Sequence, residues 1–559
     1  MNMLKSSPAL RRHWQSDKLT RSAIIWPIAA LIVVLVLQFT LALHRAINWD
    51  EFYHYSQIHL LANGTLTRPL QSLYTRAFEW VIHLPGTGVD HIILIRHFMF
   101  LCELVTLAAI AGMAVRFSNL TTALLCALSY ISVGYVFQHG TSFRFDPPAA
   151  ALLMSALWIL LRSRLDTKGI IATGLLAGLA AMITIKAVLY APAFAGIIWL
   201  RWNENGRTRE YLLRVAATGV AALVAFIAIY ALHSIGLSAE ADGEARKVIT
   251  RSAGKMFSIG YQPYWPHALK GAIFAPIVTL LIAIVPFALL RSSRPMAERL
   301  ALFCLFLPIT TLLFYHNTAP YYYAFMLPPV VVACSIAVPA LTIRYGAAGV
   351  SFLFLFCAGM ILALEPENPV KKQRQLLQAA DRMFPTPVSY FDSCAMLGNF
   401  PKANVFMTPW GMELYMAGGF PSMRETMEKR AVPLVMDNDY MFRKALHTKD
   451  NVAQFLPGDL PAIRSTYVNL WGPFWIAGEV IPVGSGNHAF ELLVPGPYTV
   501  HGGAVVVDGV TARPGDVIEL GRGKHIATGP RGAEIRLIWG KNIQIPDDPA
   551  PPEPYYMPF

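Results

Sequence analysis

Apolar runs of roughly membrane-spanning length recur through the first two-thirds of this 559-residue chain, at 23–43, 92–115, 120–137, 148–161, 169–185, 187–200, 215–233, 271–290, 300–315, 324–343 and 346–364. A bilayer core offers no water to an unpaired amide or carbonyl, so a chain carrying such runs must cross it as helices or as a closed barrel. Runs of this length select helices. Charged residues make up only 14% of the sequence, against about 25% in a soluble domain. The expected fold is therefore an α-helical polytopic membrane protein of about eleven spans, with one soluble part after it.

Loop charge orients the spans, because cytoplasmic loops are enriched in Lys and Arg. Arg11, Arg12, Lys18 and Arg21 precede the first run and place residues 1–22 inside. Strict alternation then puts Arg116, the Arg162–Arg164–Lys168 group, the group from Arg201 to Arg214, Arg291 with Arg294 and Arg299, and Arg344 inside as well. Every loop assigned to the inside is basic. Outside fall Asp50, Asp146, Lys186, the 234–270 and 316–323 loops, and the whole tail. The first apolar stretch, about 20 residues, exceeds the 7–15 of a signal-peptide core, so it is expected to remain as an anchor.

The net charge of +12 is accounted for by these loops, and no basic patch interleaved with aromatics marks a nucleic-acid partner. Five of the six cysteines lie in apolar runs, leaving Cys394 alone in the tail and excluding a disulfide framework there. Three regions follow the membrane part at 23–365: an α/β region at 366–470, a β-sandwich-like module at 471–545 and a proline-rich end at 546–559. Residues 371–384 carry helical spacing. Residues 504–510 read as a hairpin around Asp508-Gly509, with further strands at 516–520, 524–528 and 534–539.

The residues able to carry chemistry gather at the outer ends of the spans. Asp50 and Glu51 follow the first run; Asp50 either caps an interfacial helix or serves as a carboxylate held for proton transfer. Asp146, followed by two prolines, also marks a helix start. Lys186 sits between two apolar runs, where an ammonium must snorkel, pair or bind an anion; Arg144 and His316 are the other cations placed to hold a phosphate. Arg96 and Glu103, two turns apart on one face, read as a structural ion pair. The 234–270 loop carries Arg246, Lys247, Arg251, Lys255, Tyr261, Tyr264 and Trp265, and reads either as an aromatic belt or as a lid. The spacings of His54 with His59 and of His91 with His97 do not make metal-ligand pairs.

In order and sidedness these motifs resemble the GT-C glycosyltransferase superfamily, in particular the protein O-mannosyltransferases and the aminoarabinose lipid A transferases. Asp50-Glu51 matches the acidic pair after the first span, and Asp146 the acidic residue of the next outer loop. Thr184-Ile185-Lys186-Ala187 matches a Thr-Lys-Gly turn, with an inserted isoleucine and an alanine for the glycine. His316 through Tyr321, Tyr322 and Tyr323 to Leu327-Pro328-Pro329 matches a late outer loop entering a Tyr- and Pro-rich span. The resemblance covers residues 20–365 and implies a polyprenyl-phosphate-sugar donor and an extracytoplasmic acceptor (glycan, lipid or protein). It also implies inversion at the anomeric carbon and a bacterial inner-membrane location with the tail on the periplasmic or extracellular side. It assigns Asp50 as general base, with Glu51 and Asp146 orienting. Arg144, Lys186, His316, Tyr264, Trp265, Tyr321 and Tyr322 then contact substrate. No cofactor is expected, although some GT-C relatives use a divalent metal. A transporter or flippase for a lipid-linked substrate is the alternative, with a membrane-anchored assembly factor as a third.

Overall fold

A computed structural model of the chain describes residues 8–237, 257, 260, 262–366, 369–482, 486–528 and 534–556. The first long helix, α1 (Pro8–His44), reaches the end of the bundle covered by the tail and turns into α2 (Trp49–Ala62). A short α3 (Tyr74–Phe78) leads to the long α4 (Gly88–Phe117). There follow α5 (Leu120–Ile131), α6 (Gly134–His139), α7 (Asp146–Arg162), α8 (Thr167–Ile183), α9 (Ala191–Glu204) and α10 (Arg209–Ser234). Next come α11 (Trp265–Phe274), α12 (Pro276–Arg291), α13 (Met296–Phe306), α14 (Tyr322–Ala333) and α15 (Val338–Ala363). The apolar runs fall on these helices and on the 3-10 turns that adjoin them at Ile185–Tyr190, Leu307–Leu313 and Cys334–Ile336. Six helices of the described residues are long and apolar enough to cross a membrane unaided, or seven if α11 and α12, bent by 103°, form one span. Between the last two runs the backbone breaks at Gly346 (φ 69°, ψ 163°), a conformation that glycine adopts without strain.

The basic loops meet at one end of the bundle. Arg116 at the end of α4 pairs with Glu204 and Glu298, and Arg201 donates to the Ser163 carbonyl at 2.9 Å. The opposite end carries Asp50, Arg144 and Lys186 and is roofed by the tail. That sidedness is what alternating loop charge predicts.

The tail is built into the membrane domain rather than tethered to it. Phe52, Tyr55 and Ile58 of α2 and Ile92 of α4 share one buried core with Leu376 of α16 (Val370–Met383) and with Leu434 and Phe474 of the tail. Gln373 of α16, fully buried, bridges three chain segments. It accepts from Ile47 N at 2.9 Å and donates to the Ile47 and Tyr555 carbonyls at 2.7 and 2.8 Å. The junction that carries Asp50 is thereby held from above.

The strands are β1 (Tyr390–Phe391), β2 (Leu434–Met436), β3 (Tyr467–Trp471), β4 (Phe474–Ile481), β5 (Asn487–Leu492), β6 (Gly496–His501), β7 (Val505–Val507), β8 (Val510–Ala512), β9 (Val517–Leu520), β10 (Gly523–Thr528) and β11 (Ile535–Trp539). One seven-stranded sheet runs β1-β2-β4-β11-β6-β9, with β3 on β4, and a four-stranded sheet runs β5-β10-β7-β8. β1 and β2 are parallel and the remaining pairs antiparallel. The boundary expected near residue 470 falls between β3 and β4, which pair with each other. The expected hairpin is β7–β8, with Asp508 and Gly509 both at positive φ (49° and 85°), as a type I′ turn requires.

Candidate active site

The site begins with a helix cap. Asn48, not Asp50, caps α2: its side chain accepts from Glu51 N at 3.0 Å while Glu51 Oε1 accepts from Asn48 N at 3.2 Å. This capping box frees Asp50 from the structural role that its position also allowed. The amides of Asn48 and Glu51 are thereby satisfied without it.

Glu51 has a second structural task. Its carboxylate receives the Arg96 guanidinium through two bonds, of 2.8 and 2.6 Å, and the Phe143 amide at 2.8 Å. Arg96 also donates to the carbonyls of Ala42, Arg45 and Ala46 at the end of α1. Arg96 therefore does not pair with Glu103 as helical spacing predicts; Glu103 lies deeper, against Gly140. The spacing argument considers one helix face, and the stronger carboxylate came from another helix. Burial alone would raise the pKa of Glu51, but Arg96 and the amide donors overcome it and hold the carboxyl below the ordinary range.

With Glu51 occupied, Asp50 is the half-buried carboxylate of the pair, free of the helix cap. Its Oδ2 accepts from Arg144, whose side chain is only 3% exposed. Arg144 Nε also reaches Asp146 Oδ2 at 3.3 Å, and Lys186 Nζ donates to Asp146 Oδ1. The four residues thus form one alternating chain, Asp50–Arg144–Asp146–Lys186. Asp146 opens α7, yet its side chain is committed to these cations rather than to the helix amides. Thr184 caps the 3-10 turn that presents Lys186, its hydroxyl accepting from Lys186 N at 3.3 Å.

Aromatic rings enclose the cations. The Arg144 guanidinium lies 3.3 Å from the Tyr321 ring centroid, and Lys186 Nζ lies 4.6 Å from Phe145 and 5.7 Å from Tyr322. Tyr321 donates to Asn317 Oδ1 and Tyr322 to Thr311 Oγ1, each at 2.8 Å, which fixes both rings. Tyr264 is close enough for the charges of Asp50 and Arg144 to act on it, although burial is the larger influence raising its pKa. Trp265, 53% exposed at the start of α11, faces outward as an interfacial anchor would. His316 is half-buried in the outer loop that leads to Tyr321. The cationic stretch from Arg246 to Lys255 and Tyr261 lies outside the described residues.

One neighbour escaped the sequence reasoning. His54 is one turn after Asp50 on α2, ringed by Tyr53, Tyr74, Phe143 and Phe145, with Nδ1 2.7 Å from the Tyr74 hydroxyl. Burial first, then the Arg144 and Lys186 charges, push its pKa well below the ordinary value. All three influences favour the neutral imidazole over the charged one. The i, i+4 spacing from Asp50 was a readable signal, since such residues share a helix face.

Asp50 and Asp146, the carboxylates that a divalent ion would join, are joined instead by Arg144. Among the described residues no three His, Cys, Asp or Glu side chains come together in a metal-binding group.

An apolar cavity of about 650 Å³ adjoins the Lys186 turn. Ile185, Val188, Leu153, Ala191, Phe194 and Phe226 are among the residues that line it.

No family model matches the sequence, and no curated protein matches it either. Among solved structures, ArnT from Cupriavidus metallidurans bound to undecaprenyl phosphate superposes with a TM-score of 0.52 at 13% identity, over 77% of this chain and 96% of that one. The oligosaccharyltransferase of Archaeoglobus fulgidus in complex with Zn and sulfate aligns with a TM-score of 0.49 at 11% identity, over 78% of this chain and 71% of that one. The chain therefore shares the fold of that ArnT structure, and the order of its sequence motifs resembles the GT-C superfamily.

Proposed function

We propose that the protein is a membrane glycosyltransferase that moves a sugar from a polyprenyl-phosphate donor to an acceptor at the outer face of a bacterial inner membrane. One observation carries this reading: the Asp50–Arg144–Asp146–Lys186 chain lies at the outer end of the bundle, beside an apolar cavity whose wall includes both neighbours of Lys186. A donor with an apolar tail and an anionic head needs that combination, apolar surface next to fixed cations. The ArnT fold and the undecaprenyl phosphate bound to that protein support the donor class.

In the proposed step an acceptor hydroxyl gives its proton to the free oxygen of Asp50 as its oxygen attacks the anomeric carbon. The bond from that carbon to the phosphate oxygen breaks on the opposite face, so configuration inverts. Polyprenyl phosphate leaves with the bonding electrons, and Lys186 and Arg144 stabilise the charge that develops on it. Asp146, nearly fully buried, keeps both cations aimed. Tyr321, Tyr322, Tyr264 and His54 wall the sugar position.

The reading is tested with purified protein, radiolabelled polyprenyl-phosphate sugars and membrane-extracted acceptors. Label transfer to the acceptor with release of polyprenyl phosphate supports it; label that crosses a vesicle bilayer still attached to its lipid supports a flippase instead. Lys186→Gln, which keeps a polar side chain and removes the charge, is expected to lower kcat about 10²-fold and is read in the same assay.

A further inference from the structure

A second recess, of about 310 Å³, opens at the outer end of the bundle among α1, α6, α11 and α15, a set of helices that does not line the apolar cavity by Lys186. Its rim is polar. Arg45 donates from Nε to Glu365 at 2.8 Å and from Nη1 to the Gln138 carbonyl at 2.7 Å, and Gln138 Nε2 donates to Glu365 at 2.7 Å. Glu365 balances the charge of Arg45. The remaining cation on the rim is Lys270, which is exposed and has no carboxylate within salt-bridge reach among the described residues. Among the described residues the rim therefore presents one net positive charge. Below it the walls become apolar, with Phe274, Ile361 and Leu364. The Tyr135 hydroxyl in the same wall is buried without a hydrogen-bond partner among the described residues.

We propose that this recess binds the phosphodiester headgroup of a membrane lipid other than the donor seated by Lys186. One net positive charge matches a phosphodiester, which carries one negative charge; a phosphomonoester carries up to about two at neutral pH. The recess lies where α1 and α15 reach the outer face, beside the exposed Trp265 at the start of α11, which is headgroup depth for a bilayer. Lys270 and the free donors of Arg45 take the phosphate oxygens, and Phe274, Ile361 and Leu364 take the first methylenes of the chain. The site borders the catalytic cluster through one aromatic layer, since the Tyr135 ring packs 5.1 Å from Tyr323, next in sequence to Tyr322. Arg45 also lies 3.3 Å from His139, in the segment that continues to Arg144. A lipid headgroup here braces the wall of the active site from behind.

Two sources share this chemistry, glycerophospholipids and polyprenyl phosphodiesters, and native mass spectrometry of the full chain in neutral detergent separates them. The protein is titrated with phosphatidylglycerol, with a polyprenyl-phosphate sugar and with uncharged diacylglycerol. The variants are Lys270→Glu, which reverses the rim charge, and Leu364→Trp, which fills the apolar floor at an exposed position that tolerates change. At least ten-fold weaker phosphatidylglycerol binding in both variants, unchanged binding in Lys186→Gln and no comparable diacylglycerol binding are expected. The same losses seen only with the polyprenyl-phosphate sugar would make the recess part of donor binding and overturn the proposal. Wild-type affinity for both phosphodiesters in both variants would overturn the proposal.

Discussion

Asp50→Asn is expected to lower kcat by about 10²–10⁴-fold, the range lost when a positioned general base is removed, with little change in folding. The asparagine keeps an oxygen for Arg144 to donate to, and it leaves the α2 cap intact because Asn48 and Glu51 form that cap. Arg144 retains Asp146 as counter-charge. The loss should therefore appear in kcat and kcat/KM together, the pattern of an interaction needed in the transition state. Single-turnover transfer from a labelled donor, alongside a melting curve, measures both quantities. Turnover near wild type would remove Asp50 from the role of base. A large drop in melting temperature would mean that the charge serves the fold.

Hydropathy and loop charge were legible because they are local: Arg116, Arg201 and Arg214 report their end of the bundle without knowledge of any partner. The same holds for the β7–β8 hairpin, whose Asp508-Gly509 turn is encoded in two residues. Asp50, Arg144, Asp146 and Lys186 could each be singled out, but their alternation as a charge chain joins residues as far apart as 50 and 186 and required the fold. The Asn48-x-x-Glu51 capping box was present in the sequence and decides which member of the acidic pair is free. The Arg96–Glu103 pairing failed for the opposite reason. A residue seven positions along the same helix competes with any carboxylate that tertiary packing brings closer, and Glu51, with its added amide donors, prevailed. Gln373 had no local signal, since its partners Ile47 and Tyr555 lie at opposite ends of the chain.

The buried Glu51–Arg96 pair carries the largest expected effect on stability. Arg96→Met removes the guanidinium while Glu51 stays fully buried with a charge that no cation then balances, and it strips the donors from three carbonyls at the end of α1. Breaking a buried pair from one side costs about 3–5 kcal/mol, enough to abolish accumulation of many folded proteins. Glu51→Gln in the same chain removes the stranded charge, so the double variant should recover part of that loss in melting temperature or folded yield in detergent. The pair also predicts a direction with pH. Because the folded-state pKa of Glu51 is depressed, its stabilisation is complete above the unfolded value of about 4.3 and is lost as pH falls through the lower folded value. Glu51→Gln should flatten that acid limb while lowering stability at neutral pH. If Arg96→Met melts with wild type, the pair does not anchor the junction, and the placement of Asp50 then depends on the cap and on Gln373 alone.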